Sequence, residues 1–117
     1  MRDRQAPDQG HRQRGRTRGR MIVEGLWCDV GEILDLSAGG MRVRARRAST
    51  LGEKLTLRIE SARICLTLHA TCAWAKREGS RKWDLGFAFE NTDGEQLRLI
   101  GELALIHAAR LEASRAA

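Results

Sequence analysis

The stretch 64-ICLTLHATCAWA-75 keeps a period of two over twelve residues. Ile64, Leu66, Leu68, Ala70, Cys72 and Trp74 fall on one side, with Cys65, Thr67, His69 and Thr71 on the other. A helix would spread those apolar side chains around its circumference, whereas a strand sends them to one face. The segment therefore reads as a long, half-buried strand, and its neighbours can be placed around it. Lys54–Glu60 alternates in the same way, with Leu55, Leu57 and Ile59 opposed to Thr56 and Arg58. Downstream, the polar Glu78-Gly79-Ser80-Arg81 reads as a turn into Trp83–Glu90, where Leu85, Phe87 and Phe89 are in phase.

Upstream, three more short strands are expected at Met21–Trp27, Val30–Leu36 and Met41–Ala45. They are separated by Cys28-Asp29 and by the corner Asp35-Leu36-Ser37-Ala38-Gly39-Gly40. With three Trp, two Phe and no Tyr, the interior must be largely aliphatic. Six strands with short connections predict a closed antiparallel barrel, because closure hides the edges. After Asn91 the spacing changes: Leu97, Ile100, Leu103, Ala104, His107 and Leu111 recur at three and four residues. One amphipathic helix is expected from about Gly94 to Ala113, capped by Thr92 or Asp93, with Glu95 near the positive end of its dipole. The predicted fold class is an all-β barrel with a C-terminal helix.

At 117 residues the chain is long enough for one domain with a modest core. Its net charge of +6 is unevenly placed. Residues 1–20 hold seven arginines against Asp3 and Asp8, while residues 21–117 hold fourteen basic and thirteen acidic side chains. The body is near neutral and the excess belongs to an arm, which points to a phosphate-bearing partner. That arm has the only Pro and almost no large apolar residue, so it is expected to be unstructured when free. Cys28, Cys65 and Cys72 are odd in number and lack metal-ligand spacing, which suits a reduced, cytoplasmic setting. No apolar run has the length of a membrane span, and no hydrophobic stretch follows the basic N-terminus. Neither membrane insertion nor a secretory signal is expected.

Catalysis finds little support. His11, His69 and His107 are scattered over arm, strand and helix, and Ser37 has no base beside it in sequence. Neither an enzyme nor a metal site is expected. The Asp35–Gly40 corner carries more chemistry. An aspartate offers two acceptor oxygens that match the N1–H and exocyclic amine of a guanine, Ser37 adds a hydroxyl, and glycine lets backbone approach a ligand. The same residues can also make an Asx- or Ser-type turn by bonding their own backbone. In the arm, Arg12, Arg14, Arg16, Arg18 and Arg20 give three overlapping Arg-x-x-x-Arg registers, 12/16, 14/18 and 16/20. Arginine grips phosphate oxygens in a bidentate fork and pairs with the O6 and N7 of guanine. A run of this kind also serves as a solvated tether for nucleic acid.

Taken together, these motifs resemble the PilZ domain family. An Arg-x-x-x-Arg segment lies just before the first strand and an Asp-x-Ser-x-x-Gly follows on the next hairpin. The later run 72-CAWAKREGSRKWDLGFAF-89 is similar to that family's long hairpin. The likeness spans about Arg12 to Ala113. It implies an arm at 1–15 and a PilZ-like domain at 16–113, with a barrel at about 21–90 and a helix at about 94–113. It also implies a bacterial, non-catalytic receptor for cyclic di-GMP, without a metal. Arginines would hold the phosphates and guanine edges, while Asp35, Ser37 and Gly40 contact a second face. Because the gap from Arg20 to Asp35 is shorter than is usual in the family, the register is ambiguous. Arg16 and Arg20 are favoured, since Arg20 is nearest the strand; Arg14 and Arg18 are second. The ligand could enter as a monomer or an intercalated dimer, and the ordered arm would be offered to a downstream protein partner. Two rivals stand beside this reading. One is a small barrel binding RNA or DNA through its Arg-Gly arm, against which the neutral body and the absence of an evident stacking platform among Trp27, Trp74 and Trp83 both argue. The other is a PilZ-like protein-interaction module, against which the complete Asp-x-Ser-x-x-Gly argues.

Overall fold

Every ladder among the described residues is antiparallel, and the ladders form a ring. The computed structural model describes residues 19–109. Its elements are β1 (Met21–Ile22), β2 (Trp27–Cys28), β3 (Gly31–Ser37), β4 (Gly40–Ala45), β5 (Lys54–Glu60), β6 (Cys65–Gly79), β7 (Lys82–Glu90) and α1 (Gly94–Ile106). Trp27 in β2 stands opposite Glu32 in β3 and also opposite Glu60 in β5. That double pairing closes the circuit β2-β3-β4-β7-β6-β5. The result is the six-stranded barrel with a C-terminal helix that the alternation predicts. β1 adds a short pairing along the other end of β3, with Met21 opposite Leu36.

The interior follows the period-two pattern where one face of a strand meets the core. Met41, Val43 and Ala45 of β4 point inward, as do Leu57 and Ile59 of β5 and Leu66, Leu68, Ala70 and Cys72 of β6. Each fully buried aliphatic side chain contributes about 1.5–3 kcal/mol. The helix seals the barrel through Ile100, Leu103 and Ala104. Its start is a capping box: the Gln96 N–H donates to Asp93 Oδ1 and the Asp93 N–H to Gln96 Oε1, both at 2.8 Å. Gln96 Nε2 also donates to the Thr67 carbonyl, tying that first turn to β6.

Four sequence expectations are corrected. The strand expected at Met21–Trp27 is broken between β1 and β2, because Val23 and Leu26 both enter the core at a spacing of three. The helix stops at Ile106 instead of running to Ala113. Its exit is taken over by strand-like pairing, with Ala108 bridging Val23 and the Ala109 N–H donating to the Ile22 carbonyl; residues 110–113 lie outside the described residues. The β6–β7 turn is only Ser80-Arg81, since the strands run on to Gly79 and from Lys82, and Arg81 takes the left-handed conformation at φ 56°. Trp74 leaves the inward face that strict alternation assigns it and is 42% exposed. The ladder slips there, from Cys72 opposite Phe87 to Trp74 opposite Gly86, so Ala73 is an extra residue and the phase inverts.

Candidate functional site

A second bulge builds the β3–β4 corner. Ile33 stands opposite Val43 and Asp35 opposite Arg42, which leaves Leu34 as the extra residue. Ile33 and Leu36 therefore both reach the core, and Asp35 is turned to the outer face beside Arg42. The corner then closes through Ser37. Its hydroxyl donates to the Gly40 carbonyl at 3.2 Å and accepts the Gly39 N–H at 3.3 Å. The two readings of this motif thus divide between its residues. Ser37 bonds the turn's own backbone, whereas the partners of Asp35 among the described residues are arginines. Gly40 has a packing reason as well: a β-carbon there would collide with the backbone carbonyl of Phe87, so only glycine lets β4 lie this close to β7.

The arginines that punctuate the strand after the corner are explained by the same alternation. With Met41, Val43 and Ala45 inward, Arg42 and Arg44 face out. Asp35 Oδ2 lies 3.2 Å from Arg42 Nε and 3.5 Å from Arg20 Nη1. On β7, Asp84 stands opposite Arg44 and accepts a 2.6 Å hydrogen bond from its Nε, with Arg42 Nη1 at 3.8 Å from the other oxygen. That bond pushes the Arg44 guanidinium pKa above its ordinary value. The outer face therefore carries a line of alternating charge, Arg20, Asp35, Arg42, Asp84, Arg44. Both carboxylates are buried, at 5% and 6% exposure, while the arginines reach into solvent. Arg42 Nε, close to Asp35 but misaligned with it, is the one buried side-chain polar atom without a hydrogen bond among the described residues.

Across the corner, the Trp74 indole lies over Gly86, where any β-carbon would overlap its Nε1. A cleft of about 550 Å³ opens between Asp35, Ser37 and Arg42 on one wall and Trp74, Gly86 and Ala88 on the other. Arg20, Asp35, Ser37 and Gly40 all line it; Arg14, Arg16 and Arg18 lie outside the described residues. Sequence reasoning missed Arg42, Asp84 and Trp74. The first two were signalled by phase, since Asp84 alternates against Leu85 and Arg42 against Met41. Trp74 gave no such signal, because its bulge depends on the register of the partner strand. In the cleft, a flat apolar ring, a buried carboxylate and guanidinium groups converge. Such a set can sandwich an aromatic heterocycle, accept its N–H donors and neutralise attached phosphates.

The remaining reactive groups sit apart from this cleft. Burial pushes the Cys28 and Cys72 thiols up from the ordinary cysteine value, which keeps them protonated at neutral pH. Cys65, on the outer face of β6 where the alternation puts it, is exposed. His69 contacts the Thr56 hydroxyl on the outer face, and His107 closes the helix with Nδ1 3.3 Å from the Glu24 carbonyl; His11 lies outside the described residues. Among the described residues no group of three or more His, Cys, Asp or Glu side chains could hold a metal ion, and no helix is long and apolar enough to cross a membrane.

No curated protein matches the chain in sequence. Among solved structures it resembles the PilZ domain, with c-di-GMP, of YcgR from Escherichia coli, with a TM-score of 0.64 and 15% identity over 75% of this chain and 87% of that one. That likeness bears on the fold. The model of the PilZ domain matches residues 11–105, taking in the arginine arm, the Asp35 corner, the barrel and nearly all of the helix, and the chain belongs to the PilZ domain family.

Proposed function

We propose that this chain binds cyclic di-GMP in the cleft between the Asp35 corner and Trp74, with the arginine arm closing over the ligand. PilZ domains are receptor modules without catalytic activity. The observation that carries the reading is Asp35 itself. It is a carboxylate at 5% exposure, turned out of the core by a bulge, committed to arginines and aimed into a cleft beside an indole. Burying an ionised group without a ligand to serve costs stability, and a turn alone would not need it, since Ser37 makes the turn.

In this reading a guanine stacks against Trp74 and donates N1–H and its amine to Asp35. Arg20, whose Nη1 already lies 3.5 Å from Asp35, is the hinge of the arm. Arg16 and Arg20 grip the phosphates and the O6/N7 edge, with Arg14 and Arg18 as the second register. Ordering an arm costs about 1–2 kcal/mol per residue, which charge-assisted Arg–phosphate bonds must offset. The ordered arm is then a new surface for a downstream protein.

The test is a calorimetric titration of the full chain with cyclic di-GMP, GTP and a short RNA. Saturable binding of cyclic di-GMP alone supports the reading, and its stoichiometry separates monomer from intercalated dimer. Equal or tighter binding of the RNA would replace the receptor with a nucleic-acid tether. Alanine at each of Arg12 to Arg20 then locates the register. A fixed clamp gives a loss above about 1.5 kcal/mol at two positions four apart, unrescued by lysine, whereas a tether gives a small uniform loss.

A further inference from the structure

A larger cleft, of about 930 Å³, opens at the other end of the barrel, where β3 begins and β4 ends. Its floor is apolar, from Val30, Leu55 and Leu85, and the exposed Trp27 stands at its edge. Its rim is basic for a topological reason. Arg44 pairs with Asp84 and Ala45 with Trp83, so the chain leaving β4 and the chain entering β7 run side by side. The former carries Arg46 and Arg47, the latter Arg81 and Lys82, and all four are exposed. Six basic side chains lack a carboxylate partner among the described residues, and these are four of the six.

The acids on the same rim do not supply that partner. Asp29 accepts the Arg58 N–H at 3.2 Å, Glu53 accepts the Thr50 N–H at 3.0 Å, and Glu32 stands opposite Arg44 across the β3–β4 ladder. Four adjacent like charges repel, and a counter-charge from outside relieves that repulsion. The chain's own remaining segments are the wrong sign. Residues 1–18 hold six arginines against two aspartates, and residues 110–117 hold two arginines against one glutamate.

We infer that this cleft docks an acidic, extended segment of a partner protein, whose carboxylates meet Arg46, Arg47, Arg81 and Lys82 while an apolar side chain seats on Val30, Leu55 and Trp27. A protein segment fits better than a nucleic acid because a phosphodiester chain has no aliphatic group for the apolar floor of Val30, Leu55 and Leu85. The basic rim steers the encounter, and the apolar floor slows release.

The test uses fluorescence anisotropy with the full chain and a labelled peptide, Glu-Glu-Leu-Glu-Glu-Leu-Glu-Glu, beside a labelled oligothymidylate of the same charge. Arg46→Glu/Arg47→Glu and, separately, Arg81→Glu/Lys82→Glu should each weaken peptide binding by about tenfold or more, as loss and reversal of rim charge requires. Thermal melts identify a double variant that misfolds, and the other then decides. Replacing Arg14, Arg16 and Arg18 together with alanine should shift the peptide affinity by less than about threefold if the four rim cations carry the binding, because charges that do not meet the peptide directly contribute only screened attraction. The assigned indole N–H signal of Trp27, identified by Trp27→Phe, should move on peptide addition. Unchanged binding in both double variants, or a loss confined to the arm variant, would overturn the proposal. An oligothymidylate that outcompetes the peptide and depends on the same four cations would instead make the cleft a nucleic-acid site.

Discussion

Replacing Asp35 with asparagine should separate recognition from stability. The substitution keeps the side chain's volume and removes its charge. In the ligand-free fold that charge serves Arg42 at 3.2 Å and Arg20 at 3.5 Å, whose side chains are 38% and 48% exposed. Pairs to arginines so open to water are worth about 0–1 kcal/mol each. The variant also escapes the cost of holding a carboxylate at 5% exposure. Arg42 keeps Asp84, 3.8 Å from its Nη1. The two effects oppose each other, and the net change in unfolding free energy should stay within about 1 kcal/mol. Binding has no such compensation. Guanine donors enclosed in the cleft would lose a charged acceptor, at a cost of about 1.5–3 kcal/mol, or roughly 10- to 150-fold in affinity. Calorimetry with cyclic di-GMP and urea unfolding, on the same preparations, measure both quantities. An unchanged affinity in a folded variant would refute the guanine-acceptor role. A collapse in urea midpoint would instead make Asp35 a structural ion-pair residue.

Gly40→Ala should act on the fold, because its methyl meets the Phe87 backbone carbonyl; urea unfolding should show a loss above about 2 kcal/mol, as overpacking at a close strand pair produces. Gly86→Ala pushes against the Trp74 indole instead, a side chain already half-exposed, so the barrel should persist while cyclic di-GMP affinity falls about tenfold or more through loss of the stacking surface. Intrinsic fluorescence of the free variant should report the displaced indole. Glu90 is held below the ordinary carboxylate pKa by the Thr71 hydroxyl and then by Lys54. Its contribution is fully present above the unfolded chain's carboxylate pKa and disappears as pH falls through the lower folded value. Glu90→Gln should therefore show a shallower fall of Tm on the acid side than the parent.

The barrel was legible because three of its strands have one face on the core and one turned toward water, which writes a period of two into Met41–Ala45, Lys54–Glu60 and the first part of β6. The helix announced itself by the change of period after Asn91 and by a cap at Thr92 or Asp93; the structure uses Asp93, with Gln96 completing a capping box that was not anticipated. Its end was not legible, because the spacing of His107 and Leu111 continues a helical stripe. What stops α1 is a long-range pairing of residues 107–109 with residues 22–24, including the Glu24 N–H donating to the His107 carbonyl. The first strand was misread for a related reason. Val23 and Leu26 are both apolar and close together, and both point inward because the chain takes five steps from Ile22 to Trp27 against three on β3, from Asp35 to Glu32. Asp35, Ser37 and Gly40 were named from the chemistry of the corner and from its resemblance to a family motif, and Arg20 from its nearness to the strand; all four line the cleft. Trp74 was assigned to the core by phase and proved to be a wall of the cleft.

That last error bears on the proposed site. By strict alternation from Ile33, Asp35 would point into the barrel, where an ionised carboxylate cannot stay without a buried partner. By strict alternation from Leu66, Trp74 would also point inward. Each residue is turned outward by one inserted neighbour, Leu34 in β3 and Ala73 in β6. The two insertions lie on strands that do not pair with each other; β4 and β7 stand between them. A single bulge would have placed either a carboxylate or an indole on an otherwise ordinary outer face. Two of them place a polar reader and an apolar platform on opposite walls of one cleft, while the intervening strands supply Gly40, Arg42 and Gly86. Bulges interrupt ladder pairing and are kept where a side chain must be re-aimed. A barrel needing only closure could have done without both, so the phase breaks in β3 and β6 support the proposal that the ligand binds on this face.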